Sequence, residues 1–117
     1  MFERYSFVAI TTLNLKRARR FWVDDLGFAV TEEQPGQFFI VDAGGLRLCI
    51  DLADDEIHRP GSTDPVIGLR VQSVQRVMEE LARRGIEPYR PPVAASRGNY
   101  FEIRDPDGRA VIITEWD

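Results

Sequence analysis

Phe7-Val8-Ala9-Ile10-Thr11-Thr12-Leu13-Asn14, followed by a helical pattern and then Gly27, decides the fold, because the chain repeats it. Val66-Ile67-Gly68-Leu69-Arg70-Val71-Gln72-Ser73 precedes a second helical pattern that stops at Gly85. Each copy reads as strand, N-cap, helix and glycine stop. Asn14 and Ser73 carry short side-chain oxygens that accept from an orphan N–H of a first helical turn. Gly27 and Gly85 stand where a left-handed residue ends a helix. Leu15, Ala18, Trp22 and Leu26 fall on one stripe of the first helix, and Val74, Val77, Met78 and Leu81 on one stripe of the second.

Short strand-like runs follow each helix. After the first come Phe28 to Glu33, a turn at Gln34-Pro35-Gly36, Gln37 to Asp42, a turn at Ala43-Gly44-Gly45, and Leu46 to Leu52. After the second come a weak run at Glu87 to Arg90, a loop over Pro91 to Gly98, Tyr100 to Arg104, a turn at Asp105-Pro106-Asp107-Gly108, and Arg109 to Glu115. Proline supplies a fixed φ and glycine a permissive one, so these dipeptides are turn signals. The expected fold is α+β: two βαβββ modules forming a curved mixed sheet around a cavity, with the helices on its outer face. Module 1 covers about 4–53, a polar linker about 54–64 and module 2 about 65–117, all within one domain.

Composition narrows the function. Nineteen acidic residues against fifteen basic ones give a net charge of −4, which repels nucleic acid and anionic membranes. No apolar run reaches the length of a membrane span, and Met1-Phe2-Glu3-Arg4 lacks the layout of a signal peptide, so the expected compartment is the cytoplasm. A lone Cys49 forms no internal disulfide, and one cysteine with one histidine, His58, makes no zinc finger.

Period-two alternation assigns strand faces. Val8, Ile10, Leu46, Leu48, Ile50, Ile67, Leu69, Val71, Val111 and Ile113 are uniformly apolar and belong under the helices. Their neighbours then face the cavity. Phe7, Phe39, Cys49, Val66 and Ile112 make an apolar floor, with Gln37 and Val41 sharing the face of Phe39. Arg47, Arg70, Tyr100, Glu102 and Arg104 stand around it. Glu102 reads as a hydrogen-bond acceptor or a candidate base, or else as the ion partner of Arg47 or Arg70. Tyr100 stacks on a ligand or simply packs. Cys49 reads as a small buried apolar residue, Trp22 and Trp116 as packing residues, and the Asp105–Gly108 segment as a turn device rather than an acid pair.

The opening run through Asn14, with Ala18, Phe21-Trp22 and Leu26-Gly27-Phe28, and the closing run Arg104-Asp105-Pro106-Asp107-Gly108-Arg109-Ala110-Val111-Ile112, resemble the vicinal oxygen chelate superfamily. That superfamily includes glyoxalase I, extradiol dioxygenases and bleomycin-resistance proteins. The resemblance implies the fold over nearly the whole chain. It also implies a divalent metal held from four inward-facing strand positions. Those positions fall here on Phe7, Cys49, Val66 and Ile112, of which three have no ligand atom. One soft thiol does not hold the metals this chemistry uses. The expectation is therefore no metal and no cofactor. The leading reading is a homodimeric protein that sequesters an aromatic or heterocyclic small molecule, such as an antibiotic. The alternatives are a glyoxalase- or dioxygenase-like enzyme, and a ligand-free interaction module.

Overall fold

Alternating residues make Val8–Thr12 a strand, β1, and Asn14 converts it into a helix: its Oδ1 accepts the N–H of Arg17 at 3.0 Å. The computed structural model describes residues 1–3, 6–42, 44–53, 64–96 and 98–116; most of the linker, with His58, lies outside them. The chain divides into two units, Met1–Asp64 and Pro65–Asp117, and each is built the same way.

In the first unit the helix α1 (Leu15–Arg19) continues as a π-helical stretch, Arg20–Asp25. Leu26 N–H donates to the Phe21 carbonyl five residues back at 2.9 Å. Neighbours on a regular α-helix point about 100° apart, yet Phe21 and Trp22 are both buried, at 5% and 1% exposure. Trp22 meets Phe21 edge-on at 5.1 Å and stacks on Phe28 at 6.3 Å, so it is a core residue. Gly27, at φ +81°, then turns the chain into β2 (Ala29–Gln34), β3 (Phe38–Asp42) and β4 (Arg47–Leu52). The sheet order is β1-β4-β3-β2, with β1 parallel to β4 and the other pairs antiparallel.

In the second unit β5 (Ile67–Arg70) leads into α2 (Val74–Arg83), capped by Ser73 Oγ, which accepts from Arg76 N–H at 3.2 Å. Then come β6 (Val93–Ala95), β7 (Gly98–Arg104) and β8 (Ala110–Thr114), in the order β5-β8-β7-β6 with β5 parallel to β8. The segment read as loop therefore contains a strand, β6, which pairs with Gly98–Tyr100. The run Glu87 to Arg90 forms no strand, although Tyr89 N–H donates to the Glu102 carbonyl at 2.7 Å. Two prolines at 91 and 92 remove the donors that would let a strand continue between the two contacts.

Each sheet buries a row of apolar side chains on one face, and in the first unit Ile40 and Cys49 on the opposite face are buried as well. Ile10, Leu48, Ile50, Phe39 and Val41 are buried in the first unit, and Ile67, Phe101, Ile103, Val111 and Ile113 in the second. Each such side chain contributes roughly 1.5–3 kcal/mol by leaving water. Phe39 and Val41 correct the sequence reading, which put them with Gln37 on the opposite face. Phe39 pairs with Ile50 and Val41 with Leu48, and the Arg19 guanidinium of α1 lies 5.8 Å from the Phe39 ring. The cause is a difference between the repeats. Four residues separate the paired Asp42 and Arg47, whereas five separate the paired Arg104 and Ala110. Counting back through a turn one residue shorter inverts the face. Phe38 and Ile40, not Phe39, share the face of Cys49.

The longer turn is stapled by Asp105. Its Oδ1 accepts from the N–H of Asp107 at 3.0 Å and of Arg109 at 2.8 Å, and Oδ2 lies 2.5 Å from Arg109 Nη1. Burial pushes the Asp105 carboxyl above its ordinary value of 3.8, against the pull of the Arg109 N–H and charge. This is the turn device expected of the segment, with a buried ion pair that the sequence reading did not include.

Candidate functional site

The face of each sheet away from the buried rows carries the candidate residues. In the second unit register aligns Gly68, Ile112 and Glu102 across three strands, with Arg70, Thr114, Tyr100 and Val93 in the next row and Ala110 beside Arg104. Tyr100, Glu102, Ile112 and Arg70 are thus brought to one face, as their spacing predicts. A Cβ built on Gly68 meets no atom within 4 Å, so there is open space beside Ile112. The Tyr100 ring meets Trp116 edge-on at 5.3 Å, which leaves Tyr100 packed on one side.

Glu102 is an ion-pair member. Its Oε2 lies 2.6 Å from Arg104 Nη2, and its Oε1 4.0 Å from Arg90 Nε, with the side chain 14% exposed. Oε2 nevertheless has no hydrogen-bond partner among the described residues, nor has Arg104 Nε, so the contact joins charges without good donor geometry. With Oε2 turned to an arginine, the arrangement gives no support to Glu102 as a proton-abstracting base. Arg104 also donates from Nη1 to the Gly108 carbonyl at 2.9 Å, and its guanidinium carbon sits 3.9 Å from the centre of the Tyr89 ring. Arg104 lies on the face where its spacing puts it; Tyr89 and Arg90 were not candidates on sequence grounds, because the loop from Pro88 to Pro92 has no periodic signal.

In the first unit Ala9, Cys49 and Ile40 form the matching row. Burial pushes the Cys49 thiol above its ordinary 9.0, with Asp51 and Glu32 adding to the shift and Arg47 opposing it. Cys49 is therefore a protonated, inert thiol near neutral pH. Arg47 contacts the Glu32 carboxylate at 3.4 Å and donates to the Ser6 carbonyl at 3.3 Å. Phe7 and Val66 precede β1 and β5 and are 50% and 63% exposed, so neither is part of an enclosed apolar floor. Two grooves, of about 430 Å³ along α1 at Lys16, Arg17 and Arg20 and of about 200 Å³ between α2 and β6, lie away from these rows.

The profile described as Glyoxalase/Bleomycin resistance protein/Dioxygenase superfamily matches residues 4–113. The chain belongs to this superfamily. A search of curated proteins returns no match. Among solved structures, superfamily member and neighbour alike, the chain is similar to a glyoxalase family protein from Enterococcus faecalis, with 25% identity over 97% of this chain and 98% of that one and a TM-score of 0.78. UcmS2 superposes with a TM-score of 0.80 at 21% identity over 98% and 99% of the two chains. TnmS3, an antibiotic binding protein from Streptomyces sp. CB03234, does so at 0.76 and 22% over 97% and 98%.

The four strand positions that the resemblance implies for a metal carry almost no donor atoms. Those positions, on the resemblance, are Phe7, Cys49, Val66 and Ile112, and Cys49 aligns with Ala9 and Ile40, which add no donor. The carboxylate beside Ile112, Glu102, is taken by arginines. Among the described residues no group of three or more His, Cys, Asp or Glu is placed to hold a metal ion. These residues do not fit a divalent cation. No helix among the described residues is long and apolar enough to cross a membrane.

Proposed function

We propose that this superfamily member is a metal-free binding protein that sequesters an aromatic or heterocyclic small molecule, working as a homodimer. The observation that carries the reading is the row Gly68–Ile112–Glu102: an apolar patch with open space above the glycine, rimmed by Tyr100, Glu102 and Arg70. Apolar surface with a few oriented polar groups is what small-molecule sites present. The similarity to TnmS3 supports the same class of function, an antibiotic being one such ligand. The donor-poor positions around Cys49 and Ile112 favour this over a glyoxalase- or dioxygenase-like reaction, which needs a Lewis acid.

Native mass spectrometry with elemental analysis of protein purified without chelator tests it. The expected result is a dimer with well under one equivalent of divalent metal, carrying or taking up a small aromatic molecule. One equivalent of tightly held metal per chain overturns the reading in favour of an enzyme. A metal-free chain that takes up none of a panel of aromatic compounds overturns it in favour of an interaction module.

A further inference from the structure

We infer that the first unit carries a binding site of its own, for a small molecule bearing a phosphoryl group, on Lys16, Arg17 and Arg20. It is independent of the proposed binding function, and neither stands or falls with the other. A groove of about 430 Å³ along α1 and the π-helical stretch after it is lined by Asn14, Lys16, Arg17, Arg19, Arg20 and Asp24. Arg19 is committed elsewhere: it contacts the Glu33 carboxylate at 2.5 Å and lies over the Phe39 ring. The side chains of Lys16, Arg17 and Arg20 have no ion pair or hydrogen bond among the described residues. Against these three cations the groove holds one carboxylate, Asp24. It is therefore positive on a chain whose net charge is −4, and it attracts an anion.

Folding does not explain the cluster. The first turn of a helix favours carboxylates and disfavours cations. The first turn of α1 has no acidic residue and carries Lys16 and Arg17 instead. In α2 the matching place receives the Glu115 carboxylate, 2.9 Å from the Val74 N–H. Arg83 and Arg84 of α2 also share a carboxylate, Glu80, which the three cations of the groove do not have. The platform beneath the groove is fixed, because Ala18, Phe21 and Trp22 are buried at 1%, 5% and 1% exposure. An anion there meets charges whose backbone is already ordered. The class of ligand follows from residue type and span. Arg17 and Arg20 are three apart and so are neighbours on the helix surface. Guanidinium forks match the paired oxygens of a phosphoryl group, and a lysine adds a point charge. Lys16 to Arg20 rises only about 6 Å, at roughly 1.5 Å per residue. That span suits one phosphoryl or pyrophosphoryl group and not the repeated phosphates of a nucleic acid, and Asp24 ends the run with a negative charge.

The test titrates inorganic pyrophosphate into the full, isotope-labelled chain at constant ionic strength, with sodium chloride as the blank, and follows amide and arginine Nε–H signals by NMR. Amides of residues 14–20 and the Nε–H of Arg17 and Arg20 are expected to shift and to saturate with a Kd at or below about 1 mM. Arg83 and Arg84, held by Glu80, are expected to stay in place. Arg17→Gln combined with Arg20→Gln is expected to weaken binding about tenfold or more, and Asp24→Asn to tighten it about twofold. Shifts that rise without saturating, or that appear equally at Arg83 and Arg84, are general screening and overturn the site. An affinity unchanged in the double variant overturns it too. If a hexaglutamate peptide saturates these signals and pyrophosphate does not, the phosphoryl ligand is overturned in favour of an acidic protein segment. The comparison of the two helices needs no variant, so a misfolded double variant does not remove the test.

Discussion

Glu115 joins three elements through one carboxylate, and removing it measures how the second unit is held together. The residue follows β8 directly. Its Oε2 accepts the N–H of Val74, in the first turn of α2, at 2.9 Å, and its Oε1 accepts the N–H of Asn99, in β7, at 3.2 Å. The first bond is partly buried and satisfies one of the orphan donors that open every helix. Hydrogen bonds to a charged group contribute roughly 1.5–3 kcal/mol, and the partial burial places this one near the lower bound. The second is exposed, longer than the usual N–H···O distance, and worth about 0.5 kcal/mol. Glu115→Ala should then destabilise the chain by about 2 kcal/mol. Glu115→Gln keeps one acceptor oxygen but loses the negative charge at the helix N-terminus, and should cost about 1 kcal/mol. Urea unfolding at constant m gives both values. Hydrogen exchange supplies the local signature: Val74 and Asn99 N–H should lose protection before amides of β5 do. A Glu115→Ala cost below about 0.5 kcal/mol, the range of ordinary surface substitutions, would falsify the carboxylate's role as a tie.

Other outcomes follow from single groups. Replacing Asn14 or Ser73 by alanine should cost about 1 kcal/mol each in thermal or urea unfolding, because each caps a helix start; equal stability of Asn14→Ala and the unaltered chain would refute the first cap. Cys49 should react with a disulfide reagent at pH 8 far more slowly than a free thiol, since burial and the neighbouring Asp51 and Glu32 keep it protonated; labelling at the rate of glutathione would show the site to be open. Asp105 carries a pH signature. Its carboxyl is raised in the folded chain, so its stabilising contribution is complete below 3.8 and is lost as pH rises through the elevated native value. Asp105→Asn keeps the Oδ1 bonds of the turn but cannot titrate. The stability advantage of the unaltered chain over this variant should therefore shrink as pH rises through that window, and growth of the gap would contradict the assignment.

The repeated strand, cap, helix and glycine made the two-unit fold legible in the sequence, since Asn14, Ser73, Gly27 and Gly85 each do a local job that needs no tertiary information. The second unit's site row was legible for the same reason: Tyr100, Glu102 and Arg104 alternate up to a turn of known length. The first unit's was not. Phe38 to Val41 are apolar throughout, so alternation carries no phase there, and the face had to be counted through a turn one residue shorter than its counterpart. The π-helical stretch was not legible because Leu15, Ala18, Trp22 and Leu26 already make a complete stripe on an α-helical winding, so nothing in the pattern called for the wider turn that buries Phe21 as well. The Tyr89–Arg90 loop was missed because two prolines and exposed residues look like any connection, and its contact with Arg104 arises only when the chain returns beside β7.

Position 68 also bears on how such a protein changes over time. Its backbone lies outside the left-handed region, and a Cβ added there meets no atom within 4 Å, so the fold accepts a small side chain. Most residues that touch a ligand also hold the core, and altering them endangers folding. Here the two demands are separated. On the proposed binding function, a lineage could pass from Gly68 through alanine to valine, narrowing the set of accepted molecules step by step, without first acquiring a compensating mutation elsewhere.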